Sequence, residues 1–286
     1  MRVQDPLLGT RAEVSIAANT ESVAEEAEQA ALAEAARLES IFTVFDSSSA
    51  LRELRETGTT DVPELGVVHR LAEEWVVRTN GAFNPSMQPL VDLWDCAEAD
   101  DSLPDSAELQ RTAMIVGKLP PEHLNFNAIA KGWIAGRSLD VAFEGQEDSI
   151  IDGWLNLGGD LVHRGKRSVV VGIEDPTRPY DNVAPLASIE ISNEALATSG
   201  AGRRWWTIEG ERYPKVLDPR TGRAVDAVSS ASVVATTAAS ADVLATACVV
   251  CGPEAAQELV RAANAECLLI LAGGEVISTS DRFRRA

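Results

Sequence analysis

An α+β fold with antiparallel sheets packed against helices follows from three properties of the 286-residue sequence. Helical and strand patterns come in blocks and do not alternate as βαβ units, which argues against a doubly wound parallel sheet. No internal repeat and no linker rich in Pro, Gly or Ser interrupts the chain. At 45% hydrophobic residues it can bury a large core, so a single domain over residues 1–286 is expected.

A period-two alternation predicts the first strand at 11–17. A helical repeat over 20–42 places Val23, Ala27, Ala30, Leu38 and Phe42 on one face, and the acids in its first turns suit the helix dipole. Ser47-Ser48-Ser49 and Thr57-Gly58-Thr59-Thr60 bracket a short helix at 50–55. A further amphipathic helix at 65–79 stops at Asn80-Gly81. Residues 100–105 read as an acidic, Pro-bearing surface loop. A helix is then expected at 131–143, followed by strands near 150–157, 167–173, 186–192, 204–208 and 229–235. A helix through Asp242, a last helix at 253–263, a strand at 266–271 and a Gly273-Gly274 hairpin turn complete the chain.

Chemistry concentrates in Ala241-Asp242-Val243-Leu244-Ala245-Thr246-Ala247. Positions four apart share a helix face, so the Asp242 carboxylate and the Thr246 hydroxyl are brought together. The preceding Ser232-Val233-Val234-Ala235, with Thr236, Thr237 and Ser240, reads as a strand, a turn and a helix start. Two hard oxygen donors near a helix start suit Mg²⁺, which shares its remaining positions with water and substrate phosphate. The competing reading is an N-capping Asp followed by a Thr bonded back to the helix.

Asn125-Phe126-Asn127-Ala128-Ile129-Ala130-Lys131-Gly132 reads as a strand end turning into a helix, with a lysine near its start. Asn156-Leu157-Gly158-Gly159-Asp160 is a buried strand running into two glycines, either a simple turn or a loop that lets a ligand approach the backbone. It is not a dinucleotide fingerprint. Ala197-Thr198-Ser199-Gly200 supplies hydroxyls, and the segment Tyr213-Pro214-Lys215-Val216-Leu217-Asp218-Pro219-Arg220-Thr221-Gly222 supplies a cation and a Pro-fixed turn. Trp205-Trp206, between these two, reads as a packed strand pair or as rings stacked on a ligand.

In their order and spacing these segments resemble the ApbE family, the FAD:protein FMN transferases formerly called thiamine-biosynthesis lipoproteins. The likeness begins at Leu8-Gly9-Thr10 and runs through Asn80-Gly81-Ala82-Phe83-Asn84-Pro85-Ser86 and Pro89-Leu90-Val91. It includes the segments around Lys131, Gly158, Thr198, Asp218 and Asp242, and also Gly172-Ile173-Glu174-Asp175-Pro176. The resemblance implies a T-fold-like core with FAD in a cleft between lobes. It also implies Mg²⁺-dependent transfer of FMN from FAD to a threonine hydroxyl of an acceptor flavoprotein, with release of AMP. By position, Asp242, Thr246 and the backbone carbonyl of Ala128 would hold the metal. Asn125 and Lys131 would lie with FAD, and Gly158, Gly159, Asp160, Thr198, Ser199 and Gly200 would shape the nucleotide pocket. Lys215 and Asp242 are the catalytic candidates.

Four positions depart from the family pattern. Lys215 stands where the family has a histidine, the candidate acid/base near the acceptor hydroxyl. A lysine ordinarily titrates near 10.4, so at neutral pH it neutralises phosphate charge more readily than it removes a hydroxyl proton. Asn125 replaces an Asp, Asn84 replaces the Asp of Phe-Asp-Pro, and Gly136 stands where an acid often follows the Lys-Gly pair. The alternative to transfer is a divergent member that binds FAD, or hydrolyses it to FMN and AMP, without a protein acceptor. A flavin-binding scaffold with no chemistry is the third reading.

The balance of 25 Lys and Arg against 44 Asp and Glu gives a net charge of −19, which argues against nucleic acid and anionic membrane surfaces as partners. The same balance means a phosphorylated ligand needs local cations. Without an apolar spanning run or a lipobox cysteine, no membrane anchor is expected, and the protein is expected in the cytoplasm. Cys96, Cys248, Cys251 and Cys267 are too scattered for a disulfide framework, and Cys248 and Cys251 read as buried thiols rather than redox or zinc ligands. His69, His123 and His163 each stand alone in sequence.

Overall fold

A computed structural model describes residues 1–46, 48–178, 183–200 and 205–285. Ser47, and residue 204 of the strand expected at 204–208, lie outside the described residues. The chain opens with strands β1 (Arg2–Leu7) and β2 (Thr10–Ala18), then helices α1 (Glu21–Phe42), α2 (Ala50–Thr57), α3 (Pro63–Arg78), α4 (Gln88–Ala99) and α5 (Ser106–Val116). A 3₁₀ turn at Pro121–His123 leads to α6 (Asn127–Phe143). Strands β3 (Ile150–Leu157), β4 (Asp160–Gly165), β5 (Val169–Ile173), β6 (Ala187–Ile191), β7 (Ala195–Gly200), β8 (Trp205–Ile208), β9 (Glu211–Pro214) and β10 (Val228–Ala235) follow. Helices α7 (Ala238–Cys251) and α8 (Pro253–Ala262) precede β11 (Glu266–Leu271), β12 (Val276–Ser278) and β13 (Arg284–Arg285).

The strands form an eight-stranded sheet in the order β1-β2-β3-β4-β7-β10-β11-β12, a three-stranded sheet β13-β6-β5 and the β8-β9 hairpin. Every pairing among the described strands is antiparallel, as the block order of elements predicts. The large sheet is buried on both faces. Val162, Val233 and Leu269 pack into the core that contains α1, α6 and α7, whereas Leu161, Val234 and Leu268 pack against the three-stranded sheet. Adjacent strand residues point to opposite faces, so burial on both sides requires continuous apolar runs such as Val233-Val234 and Leu268-Leu269-Ile270.

The long helix α1 starts where Thr20 accepts the Val23 N–H at 3.4 Å, and it buries Ala27, Ala31, Leu38 and Phe42 against the sheet side. The apolar stripe runs through Ala31 and Leu32 rather than through half-buried Ala30. Helix α7 is buried almost all round, from Ala238 to Val250, and so forms the centre of the helical layer. The residues before α6 form no strand: Leu124–Phe126 is irregular chain, because the 3₁₀ turn consumes the approach.

Helices α4 and α5 and strands β1, β4, β7, β9 and β13 were not anticipated from the pattern, whereas β12 is the return strand of the expected Gly273-Gly274 hairpin. Helix α4 carries Trp94, which packs with Leu90, Leu109, Trp206 and Ile208 in a separate apolar cluster around the β8-β9 hairpin. This decides the reading for Trp206, which is 1% exposed and stacks on Trp94 with ring centroids 5.2 Å apart, whereas Trp205 is 38% exposed. Among the described residues no helix is long and apolar enough to cross a membrane.

Candidate functional site

One end of the large sheet opens into a cavity of about 1090 Å³. The cavity wraps around the sheet end. Ser199 reaches α7 on the helical face, while Thr198 lies on the opposite face with Leu196, toward β5. Its rim takes in the β1-β2 turn, the end of α1, the start of α6, the β3-β4 turn and the chain after β9.

Asp242 lies in the second turn of α7, and Thr237 rather than Asp242 caps the helix, accepting the Ser240 N–H at 3.2 Å. The capping explanation of Asp242 is thereby removed. Its carboxylate is 3% exposed and accepts the Gly132 N–H at 3.1 Å. Burial pushes the Asp242 carboxyl up to about 7, the neighbouring Asp160 adds to this, and Lys131 and the Gly132 N–H pull the other way. Thr246, one turn on, pairs its hydroxyl with Ser199 Oγ at 3.0 Å.

Ala128 has non-helical dihedrals (φ −91°, ψ 16°) in the first turn of α6. In a regular helix the Gly132 N–H would close on the Ala128 carbonyl; here it is directed to Asp242. Ala128 lines the cavity together with Asp242 and Thr246.

Lys131 lines the cavity, and its ammonium lies 2.6 Å from Asp160 Oδ2. Asp160 is the first residue of β4 and is 2% exposed, outside the cavity lining. Burial pushes its carboxyl up against the pull of the Lys131 ammonium. Gly158 and Gly159 form the two-residue β3-β4 turn, with φ of 61° and 106°. The segment is a turn, and a Cβ on Gly158 would stand 2.3 Å from Thr10 Oγ1, so that position is held to glycine by its positive φ and by the Thr10 side chain. Thr198 bonds Ser232 across the β7-β10 pair at 2.8 Å.

Asn125 is set apart from the cavity lining. Its Oδ1 accepts the Asn127 N–H at 3.0 Å, a local turn that starts α6, and Asn127 takes the lining position. Lys215, just after β9, does line the cavity, with Asp95 and Glu98 beside it. Asn84 lines the cavity too, while its side chain accepts the Ser86 N–H at 2.7 Å and donates to Val116 O at 3.2 Å.

Sequence reasoning missed Glu39 and Phe45 on the rim. Glu39 accepts the Leu8 N–H at 2.8 Å, and Phe45 is 95% exposed. An aromatic residue immediately beyond a helix end and left out of its apolar stripe is the signal that points to Phe45. The histidines take no part in the lining: burial pushes the His163 imidazole down, and its Nδ1 accepts the Asn193 N–H. Cys248 and Cys267 are buried free thiols, Cys251 is half-buried and Cys96 is exposed.

Comparison with known proteins bears on the family and on the fold. The sequence profile of the ApbE family matches residues 8–269. The FAD:protein FMN transferase of Klebsiella pneumoniae (strain 342) is 27% identical over 231 residues, 73% of this chain and 71% of the relative. That of Vibrio cholerae serotype O1 is 30% identical over 72% of this chain and 64% of its own length. The crystal structure of the ApbE protein from Thermotoga maritima has a TM-score of 0.82 at 24% identity, covering 98% of this chain and 97% of the other, a likeness in fold. Because the profile match takes in the helices, the sheet end and the turns that together enclose the cavity, the chain belongs to the ApbE family.

Proposed function

We propose that this protein transfers FMN from FAD to a threonine hydroxyl of a flavoprotein acceptor, releasing AMP, with Mg²⁺ in the site, and that residues 1–286 act as one domain. Relatives that are FAD:protein FMN transferases support flavin transfer as the activity. The observation that carries the finer reading is the meeting of Asp242, Thr246 and Ala128 with Lys131 and Lys215 around one cavity.

A carboxylate, a hydroxyl and a carbonyl are hard oxygen donors of the kind Mg²⁺ takes, with substrate oxygens completing its shell. The buried Asp242 carboxyl, pushed up to about 7, is the side chain a cation would most relieve. When bound there, a divalent ion would supply Lewis-acid polarisation of the diphosphate. Lys131 would orient the phosphates, held by Asp160 behind it. The glycine turn would let the diphosphate approach main-chain N–H groups. The nucleotide would wrap around the sheet end, meeting Ser199 on one face and Thr198 on the other.

The pH dependence follows from Asp242. Its folded-state pKa of about 7 lies above the ordinary 3.8, so the native carboxyl keeps a proton that the unfolded chain has lost between pH 4 and 7. In the metal-free protein this group therefore costs stability increasingly as pH rises through that window. Mg²⁺ competes with that proton, so the rise in Tm on adding Mg²⁺ is expected to be larger at pH 8 than at pH 6. Equal increments at both values would remove Asp242 from the metal site.

Lys215, in the place of a histidine, favours acceptor-independent hydrolysis of FAD as the second reading. If Lys215 serves the reaction, Lys215→Ala should lower AMP release about tenfold, the size of a lost charge-assisted hydrogen bond. Lys215→His should raise transfer to an acceptor. Activity untouched by both changes would make the position irrelevant. The whole reading is tested by incubating the protein with FAD and Mg²⁺, with and without a threonine-bearing flavoprotein, and following intact mass and nucleotides. A gain of one FMN on the acceptor with AMP release supports transfer; free FMN and AMP support hydrolysis; unchanged FAD overturns both.

A further inference from the structure

We infer that Asp95, supported by Glu98, is a positioning residue that aims Lys215 into the nucleotide cavity; this rests on the flavin reading above. Lys215 lines the cavity, whereas the two carboxylates approach it from α4, outside the lining. The Lys215 Nζ is 3.4 Å from Asp95 Oδ1 and 3.8 Å from Glu98 Oε2.

The same carboxylates fasten the hairpin that delivers Lys215. Trp206 Nε1–H donates to Asp95 Oδ1 at 2.6 Å, and the Thr207 N–H donates to Glu98 Oε1 at 2.7 Å. One turn further along, Asp101 Oδ1 accepts the Glu209 N–H at 2.5 Å. Trp206 also turns its ring face to the ammonium, 4.9 Å from the centroid. Helix α4 thus holds the β8-β9 hairpin at two points, both of which also touch Lys215, and Asp101 just beyond the helix holds it at a third.

Two carboxylates around one ammonium leave the group net negative, so Lys215 is not placed as a long-range attractor for phosphate. It is a directed donor, and one of its three N–H bonds goes to Asp95 while the others remain for ligand oxygens. Lys131 repeats the design, with Asp160 outside the lining holding it from behind.

The two views of Asp95 differ in sign. If its charge alone mattered, Asp95→Asn would tighten binding of anionic FAD by removing repulsion. If it positions Lys215, the same change weakens FAD, by about 2- to 5-fold for a half-exposed pair. The asparagine keeps a carbonyl oxygen for the Trp206 donor, so the hairpin stays fastened.

The test measures the FAD Kd by flavin fluorescence, with Tm as a check on folding, for wild type, Asp95→Asn, Asp95→Glu, Lys215→Met and the double variant Asp95→Asn/Lys215→Met. Expected are a weaker Kd for Asp95→Asn, recovery in Asp95→Glu, and no added loss from Asp95→Asn when Lys215 is already Met. Tighter or unchanged binding by Asp95→Asn, or an equal loss in the Lys215→Met background, overturns the inference. Should Asp95→Asn lower Tm, Glu98→Gln completes the same cycle. A wild-type protein that binds no FAD sinks the flavin reading itself, whereas wild-type binding with additive losses removes only the positioning role.

Discussion

Asp242→Asn is expected to abolish Mg²⁺-dependent release of AMP from FAD, a loss of about 10²–10³-fold or more, while the protein remains folded. The asparagine matches the carboxylate in shape and can still accept the Gly132 N–H that Asp242 now accepts at 3.1 Å. What it removes is the negative charge, which at this 3%-exposed position has no role in packing. Breaking a buried charge pair is usually costly because a charge is left uncompensated, but here the group removed is the one that burial already disfavours. The metal-free variant should therefore match or exceed the wild-type Tm at pH 8, and its Tm should no longer respond to Mg²⁺. Loss of turnover with an intact Tm response to Mg²⁺ would mean that the metal sits elsewhere; wild-type turnover would remove Asp242 from the reaction.

Gly132→Ala should destabilise the fold by about 3 kcal/mol, the upper part of the range for overpacking a tight core. A Cβ at this position would stand 2.3 Å from the Ala238 carbonyl oxygen and 2.8 Å from Asp242 Cβ. The nearest obstacle is backbone, so α6 and α7 would have to separate, and Asp242, the proposed metal ligand, would move with them. Gly136, one turn further along α6, is the matched control, because a Cβ there meets only Ala238 Cβ at an ordinary 3.9 Å. Gly136→Ala is expected to be neutral or to stabilise by up to about 1 kcal/mol through helix propensity. Urea denaturation of both variants checks the contrast, and equal stabilities would show that the helices can give at Gly132.

The contrast between these two glycines shows what a one-dimensional pattern carries. In local pattern both are glycines on the helix that follows Lys131, four residues apart and so on one face. Only the crossing of α6 over the first turn of α7 makes one indispensable. The Asp242 and Thr246 pair was legible because helical periodicity alone puts positions four apart on one face. The turn at Gly158 and Gly159 was legible for a similar local reason. Asn125 was less so: its local turn onto the Asn127 N–H follows a 3₁₀ approach where the sequence suggested a strand. Helices α4 and α5 escaped notice, although α4 carries the residues that hold Lys215, because their apolar faces cover a satellite cluster rather than the main core.

What the sequence determined by itself is local and periodic: the long helices, the antiparallel class, the hydroxyl-carboxylate pair on one face of α7 and the glycine turn. These follow from backbone geometry and side-chain spacing within a few residues. The tertiary structure alone decided which carboxylate stands behind which lysine, Asp160 behind Lys131 and Asp95 with Glu98 beside Lys215. It also decided that the Gly132 N–H meets the Asp242 carboxylate. Those partners are 29 to 120 residues apart in the chain, and such contacts are selected by the packing of whole layers, which no local propensity encodes.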